Sequence, residues 1–294
     1  MIDVYALALL TALLWGFTPI LDKRGMLGGG TPLQASIIVV IVDSSVYWIA
    51  IAALSGSRTP FDGVSLRIVG LFVVAGFVGT ALGRLSLFFG IDHLGASINN
   101  AVLSTRPLFA TIVAVAFLGE AVSLQQAVGI VVIVVGLTIL TTARGGDLEG
   151  WTSWHVVFPL VGAAAFGVSN VIRRYGLTES PVTALEAVAL NETAGFVALA
   201  AYAMATQGRD IVDLPRRSAG YYAVSGLFTA AAFMALFEAL DRGSVSIVDP
   251  LYGTAPLFTT VFAYFLLRDV ERVTVGIVVG AATIVLGAVL VTTA

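Results

Sequence analysis

Asp43 and Glu192 are acids set inside long apolar runs, VVIVDSSVYW (39–48) and AVALNETAGF (187–196). A charge at the centre of a bilayer costs roughly 2.5–3.5 kcal/mol on insertion scales. A carboxylate kept there can carry a proton or hold a cationic group; otherwise a neighbouring helix satisfies it and it only fixes packing. Ser36, Asp43 and Tyr47 recur at spacings of seven and four, which puts them on one helical face. Arg106 precedes Pro107 and shares a face with Asn99, seven positions earlier. Its guanidinium can hold a carboxylate or phosphate group, or pair internally with Asp43, Glu192 or Asp249. Arg84, one turn after Thr80, is a second cation that either enters the interior or snorkels to the interface. Asn100, Asp249 and Glu238 lie near predicted helix ends, where they line a vestibule or are simply solvated. Tyr252 and Trp48 are wall candidates, although most membrane aromatics sit at interfaces. Pro107 and Pro256 free backbone carbonyls and kink their helices. The candidate binding and translocation set is therefore Asp43, Tyr47, Arg84, Asn99, Arg106, Glu192, Asp249 and Tyr252, with Pro107 and Pro256 as kinks.

No catalytic residue is proposed. There is no cysteine, so thiolate metal sites, disulfides and cysteine nucleophiles are excluded together. His93 and His155 fall at predicted helix ends and read as interfacial; no metal and no cofactor is expected. The single lysine, Lys23, is followed by Arg24, which rules out a nucleotide-binding phosphate loop. Signatures of intramembrane metallo-, serine and aspartyl proteases are missing. An Asp43–Glu192 hydrolytic dyad is the enzyme reading that remains, without supporting context. Net charge is −3 with no basic cluster, so nucleic acid is not an expected partner.

The elements that must position these residues are membrane spans. Hydrophobic residues make up 58% of the chain and charged residues 11%, under half the usual charged share of about 25% in a soluble domain. About 20 apolar residues cross a bilayer as a helix. Ten runs qualify: 3–21, 32–54, 66–90, 95–118, 123–143, 153–175, 182–206, 218–240, 244–267 and 273–293. The first lacks a basic flank and a cleavage site, so it is expected to be a membrane helix and not a signal peptide. Gly79/Gly83 and Gly276/Gly280 have the small-xxx-small spacing that lets helices approach closely.

The chain is also a duplication. Gly95 to Glu120 returns 149 positions later as Ser244 to Asp269, with Pro107-Leu108-Phe109 on Pro256-Leu257-Phe258 and Glu120 on Asp269. Under the same offset Asp43 meets Glu192 and Thr80-Ala81 meets Thr229-Ala230. With a two-residue slip, Trp15-Gly16-Phe17-Thr18 meets Phe166-Gly167-Val168-Ser169, and Gly129/Gly136 meet Gly280/Gly287. The repeats are 1–143 and 153–294, joined by a linker at 144–152. Five spans per half is an odd number, so the second half must enter the membrane from the opposite side. The expected fold is all-α: a polytopic integral membrane protein with ten transmembrane helices in a 5+5 inverted repeat, a plan used by secondary transporters.

This order and repetition resembles the EamA family of the drug/metabolite transporter superfamily. The marks are Trp15-Gly16-Phe17, the two P-L-F sequences followed by Gly119-Glu120 or Arg268-Asp269, and a glycine-spaced closing helix in each half. The resemblance covers the whole chain. It implies a permease with a central cavity that typically exports amino acids or other small metabolites. The related small multidrug pumps use a glutamate inside helix 1; here no carboxylate lies between Asp3 and Asp22, so that chemistry is not carried over. The expected partners are a small-molecule substrate and the lipid bilayer. Proton coupling and a homodimer stay open, as does a passive channel.

Alternating access would proceed around a site bounded by spans 2, 3, 4, 7, 8 and 9. The expected location is the cytoplasmic membrane, crossed many times, with both termini inside by resemblance. Loop charges point the other way. Five arginines fall on the terminal side (Arg58, Arg67, Arg173, Arg174, Arg242), against eight basic residues opposite (Lys23, Arg24, Arg144, Arg209, Arg216, Arg217, Arg268, Arg272).

Overall fold

The computed structural model describes residues 3–56, 59–94, 96–143, 153–208, 211, 213–266 and 274–294. The linker 144–152 and Arg58, Arg209, Arg268, Asp269 and Arg272 lie outside them. Among the described residues every regular element is helical. The first half contains α1 (Val4–Leu27), α2 (Pro32–Leu54), α3 (Leu66–Ala75), a π-turn (Gly76–Gly83), α4 (Arg84–Leu94), α5 (Ala96–Leu103), α6 (Arg106–Leu118) and α7 (Leu124–Thr142). The second contains α8 (Val157–Thr178), α9 (Ala184–Thr206), α10 (Arg216–Arg242), α11 (Val245–Tyr252), α12 (Ala255–Leu266) and α13 (Val275–Thr292). The π-turn joins α3 and α4 into the third span; α5–α6 and α11–α12 form the fourth and ninth.

Local signals start the helices. Thr31 with Gln34, Ser123 with Gln126 and Thr183 with Glu186 form reciprocal capping boxes, each satisfying two orphan N–H donors. The fourth span is broken, not merely kinked. α5 ends at Leu103 and α6 begins at Arg106, so Pro107 occupies the first turn of a new helix, where it has no intrahelical donor to lose. The ninth span divides in the same place, between Tyr252 and Ala255.

Inversion is visible in the glycine contacts. Gly129 packs on Gly287 and Gly136 on Gly280; a methyl group added at Gly136 would stand 2.7 Å from the Ile284 nitrogen. Numbering rises along α7 as it falls along α13, so these repeat-equivalent helices are antiparallel. Gln125 at the start of α7 donates to Thr293 beyond α13, while Gly276 at the start of α13 meets Ala143. Other contacts exchange in the same way: α1 packs on α10 as α8 packs on α3 and the π-turn, and α1 meets α11–α12 as α8 meets α5–α6. The Trp-Gly-Phe glycine explains one of these pairs. Gly16 lies on the first turn of α12, where a Cβ would be 2.5 Å from Phe258 Cβ, and its repeat partner Gly167 lies on α6 against Ala110.

The exterior is apolar, as Leu66, Phe117, Leu124 and Val275 show, each about four-fifths exposed or more. Fully buried polar groups concentrate inside, the reverse of a water-soluble arrangement.

Candidate functional site

A chain of polar side chains crosses the interface between the two halves. Asp43 from α2 and Glu192 from α9, both fully buried, lie within electrostatic range of each other. Thr80 Oγ1, in the π-turn, donates to Glu192 Oε1 at 2.9 Å, and Asn191 Nδ2 donates to the same oxygen at 2.7 Å. Arg173 Nε donates to Asn191 Oδ1 at 3.0 Å, and its Nη1 to Asn170 Oδ1 at 2.9 Å. Asn170 Nδ2 in turn donates to Asp249 Oδ1 at 2.6 Å and to the Tyr252 hydroxyl at 2.8 Å. Arg106 closes the far end, with Nε 3.1 Å from Asp249 Oδ2 and its guanidinium 4.1 Å above the Tyr252 ring. Of the alternatives open for Arg106, the pairing with Asp249 is the one formed.

Three carboxylate oxygens are left over among the described residues: Asp22 Oδ1, Asp43 Oδ2 and Glu192 Oε2 are buried without a protein hydrogen-bond partner. Arg84, half-buried at the start of α4, lies within electrostatic range of Asp22, Asp43 and Glu192 without a direct bond to any of them. Of its two readings, the interior one has three acids within reach. Tyr47 is buried below Asp43 and donates its hydroxyl to the Ala230 carbonyl of α10 at 2.9 Å. Among the described residues the cluster thus offers three unpartnered carboxylate oxygens, on Asp22, Asp43 and Glu192, and one guanidinium without a direct bond, that of Arg84.

The structure corrects several expectations. Asn99 and Arg106 do not share a face, because the break at 104–105 removes the register; Asn99 is buried against Gly90 of α4, away from the cluster. Asp249 is not at an exposed helix end but fully buried in the short α11. Arg173 is not a loop residue. It is 3% exposed and lies between Asn170 and Asn191, while its neighbour Arg174, about 100° round the helix, donates to the carbonyls of Leu240 and Asp241. Helix α1 runs past residue 21 to Leu27, so Asp22 is inside it, beside Ser225. Spans 1 and 6 therefore join the expected six around the cluster. Trp48 faces the lipid side, donating to Thr193 Oγ1 across a groove of about 540 Å³ between α2 and α9.

Asn170, Asn191 and Arg173 belong to the cluster without a clear signal in the sequence. Neutral amides near an acid are weak signals, although the i, i+3 spacing of Asn170 and Arg173 puts both on one face. Trp15, in the Trp-Gly-Phe motif, walls the cluster: its ring meets Phe233 at 4.7 Å and Tyr252 at 5.4 Å.

Comparison with known proteins agrees with this architecture. The model of the EamA-like transporter family matches residues 4–142 and again 153–293. No curated protein matches the chain significantly. One solved crystal structure superposes with a TM-score of 0.79 at 18% identity, over 99% of this chain and 96% of that one, which shows a shared fold. Two successive family matches spanning nearly every residue leave one conclusion: this multi-pass membrane protein belongs to the EamA-like transporter family, within the drug/metabolite transporter superfamily.

Proposed function

We propose that the chain is a secondary transporter that moves a small organic metabolite, such as an amino acid or related solute, across the cytoplasmic membrane by alternating access, as an exporter. The observation that carries this reading is the Asp43–Glu192 pair, fully buried at the seam of two inverted halves with one oxygen free on each. Buried acceptors without partners are costly, and native structures keep them for a reason. An ammonium group or a proton would satisfy them, and Arg84 would face a substrate carboxylate. A zwitterion fits that set. The Arg106–Asp249–Asn170–Arg173–Asn191 chain ends on Glu192 and holds that carboxylate in place through Asn191. The two halves would rock about this seam, with energy from a proton or substrate gradient.

Uptake into liposomes containing the purified chain tests this. Saturable counterflow of one radiolabelled amino acid out of a panel supports a carrier. Flux that never saturates indicates a pore and would overturn the reading.

A further inference from the structure

The third span holds a π-turn that its repeat partner lacks. Gly76–Gly83, GFVGTALG, is π-helical, whereas the equivalent stretch of α10, residues 225–232, continues as α-helix within Arg216–Arg242. A π-turn contains one residue more than an α-turn, and such insertions concentrate at functional sites. Three glycines admit this one to the interior. A Cβ at Gly76 would lie 2.0 Å from the Asn191 carbonyl, one at Gly79 would meet Ser169 and Arg173, and one at Gly83 would meet Phe166. The Ala75 carbonyl, at the entry to the turn, accepts from Ser169 Oγ at 2.8 Å. Thr80, within it, holds Glu192. The residue directly after it is Arg84, the cation without a direct bond.

We propose that this π-turn is a two-state register element. In its present form it presents Arg84 to Asp22, Asp43 and Glu192; when it relaxes to α-helix it withdraws Arg84 from them. Loss of one π-turn rotates everything after it by about 100° and shifts it by about 1.5 Å. Arg84 then leaves the face that looks at the carboxylates. The two repeats display the two hydrogen-bonding patterns side by side, π in span 3 and α in span 8, and elements packed between bistable arrangements are what alternate in switching proteins. The functional consequence rests on the transport reading, since withdrawal of the guanidinium would change which charge the acid pair accepts; the register change itself does not.

The test therefore needs no substrate. Spin labels are placed at Phe89→Cys on α4 and Met204→Cys on α9, both exposed, in a chain that has no other cysteine. Distances are measured by pulsed electron paramagnetic resonance in phosphatidylethanolamine–phosphatidylglycerol liposomes, in acidic and alkaline buffer. A 100° rotation carries a label on the helix surface about 8 Å, so the wild-type chain shows two distance populations. Deletion of Leu82, a lipid-facing residue of the turn, leaves an α-helix with Arg84 already in register, and only the population belonging to the present structure survives. Ser169→Ala, which removes the hydroxyl on the Ala75 carbonyl, raises the other population about fivefold.

A single wild-type population in both buffers would overturn the proposal. So would two populations persisting after the deletion, as rocking of the halves alone would give. Should the deletion variant not fold, Ser169→Ala decides, and an unchanged population ratio refutes the switch. Two populations that respond as stated, in a chain that moves no amino acid, would sink the transport reading and leave this one standing.

Discussion

Removing the Asp249 carboxylate should cost far more than removing any neutral hydrogen bond in the bundle. Asp249→Ala leaves the Arg106 guanidinium, 17% exposed, without its acid and opens one Asn170 bond. Breaking a buried pair from one side typically costs 3–5 kcal/mol, because the surviving charge remains desolvated. Arg106 keeps its stacking on Tyr252, worth about 1–2 kcal/mol, and its partial exposure relieves it further, so about 3 kcal/mol is expected. The control is Tyr47→Phe, which removes one neutral interhelical bond to Ala230, a kind that averages about 0.6 kcal/mol in membranes. Replacing both members, Arg106→Met with Asp249→Leu, should return to within about 1 kcal/mol of wild type, since well-packed apolar residues substitute for a buried pair. Reversible unfolding of the purified protein in mixed detergent–SDS micelles, followed by tryptophan fluorescence, measures all three. If Asp249→Ala costs no more than Tyr47→Phe, Arg106 is not held by Asp249 in the folded protein. The polar chain described above would then be wrong at its far end.

Gly136→Ala should lower the yield of monodisperse protein sharply, because its Cβ would meet α13 backbone at 2.7 Å, while Gly70→Ala, with nothing within 4 Å, should be neutral or stabilise by about 1 kcal/mol; size-exclusion profiles and thermal midpoints compare them. Equal behaviour of the two would contradict the α7–α13 contact. If the pair carries the coupling proton, joint neutralisation by Asp43→Asn and Glu192→Gln abolishes gradient-driven accumulation in proteoliposomes and leaves exchange intact; if it holds the substrate's ammonium group, exchange is lost as well. Unchanged accumulation removes the pair from coupling.

The duplication made most of the fold legible, since a fixed offset survives even where hydrophobic composition says little about contacts. Hydropathy located the spans, and parity of five per half gave their inversion. What could not be read was detail finer than a helical turn. Pro107 pointed to a kink, but the break itself lies at 104–105, where neither residue is a strong breaker. Arg173 and Arg174 looked alike at the end of a span, yet adjacent residues on a helix point about 100° apart, and only one of them enters the cluster. The first apolar run ends at residue 21, where Asp22-Lys23-Arg24 begins, so hydropathy alone places Asp22 outside α1. The π-turn has ordinary helical composition; two of its three glycines, Gly79 and Gly83, are legible only as close packing, which they also provide.

Opposed insertion of the halves is what puts the Asp43–Glu192 pair at a seam, and it can be measured directly. Ser123 and Thr274 cap the equivalent helices α7 and α13. In sealed, uniformly oriented vesicles, a membrane-impermeant maleimide should reach Ser123→Cys from one side only and Thr274→Cys only from the other. Labelling of both from the same side would contradict the inverted architecture and the site built on it.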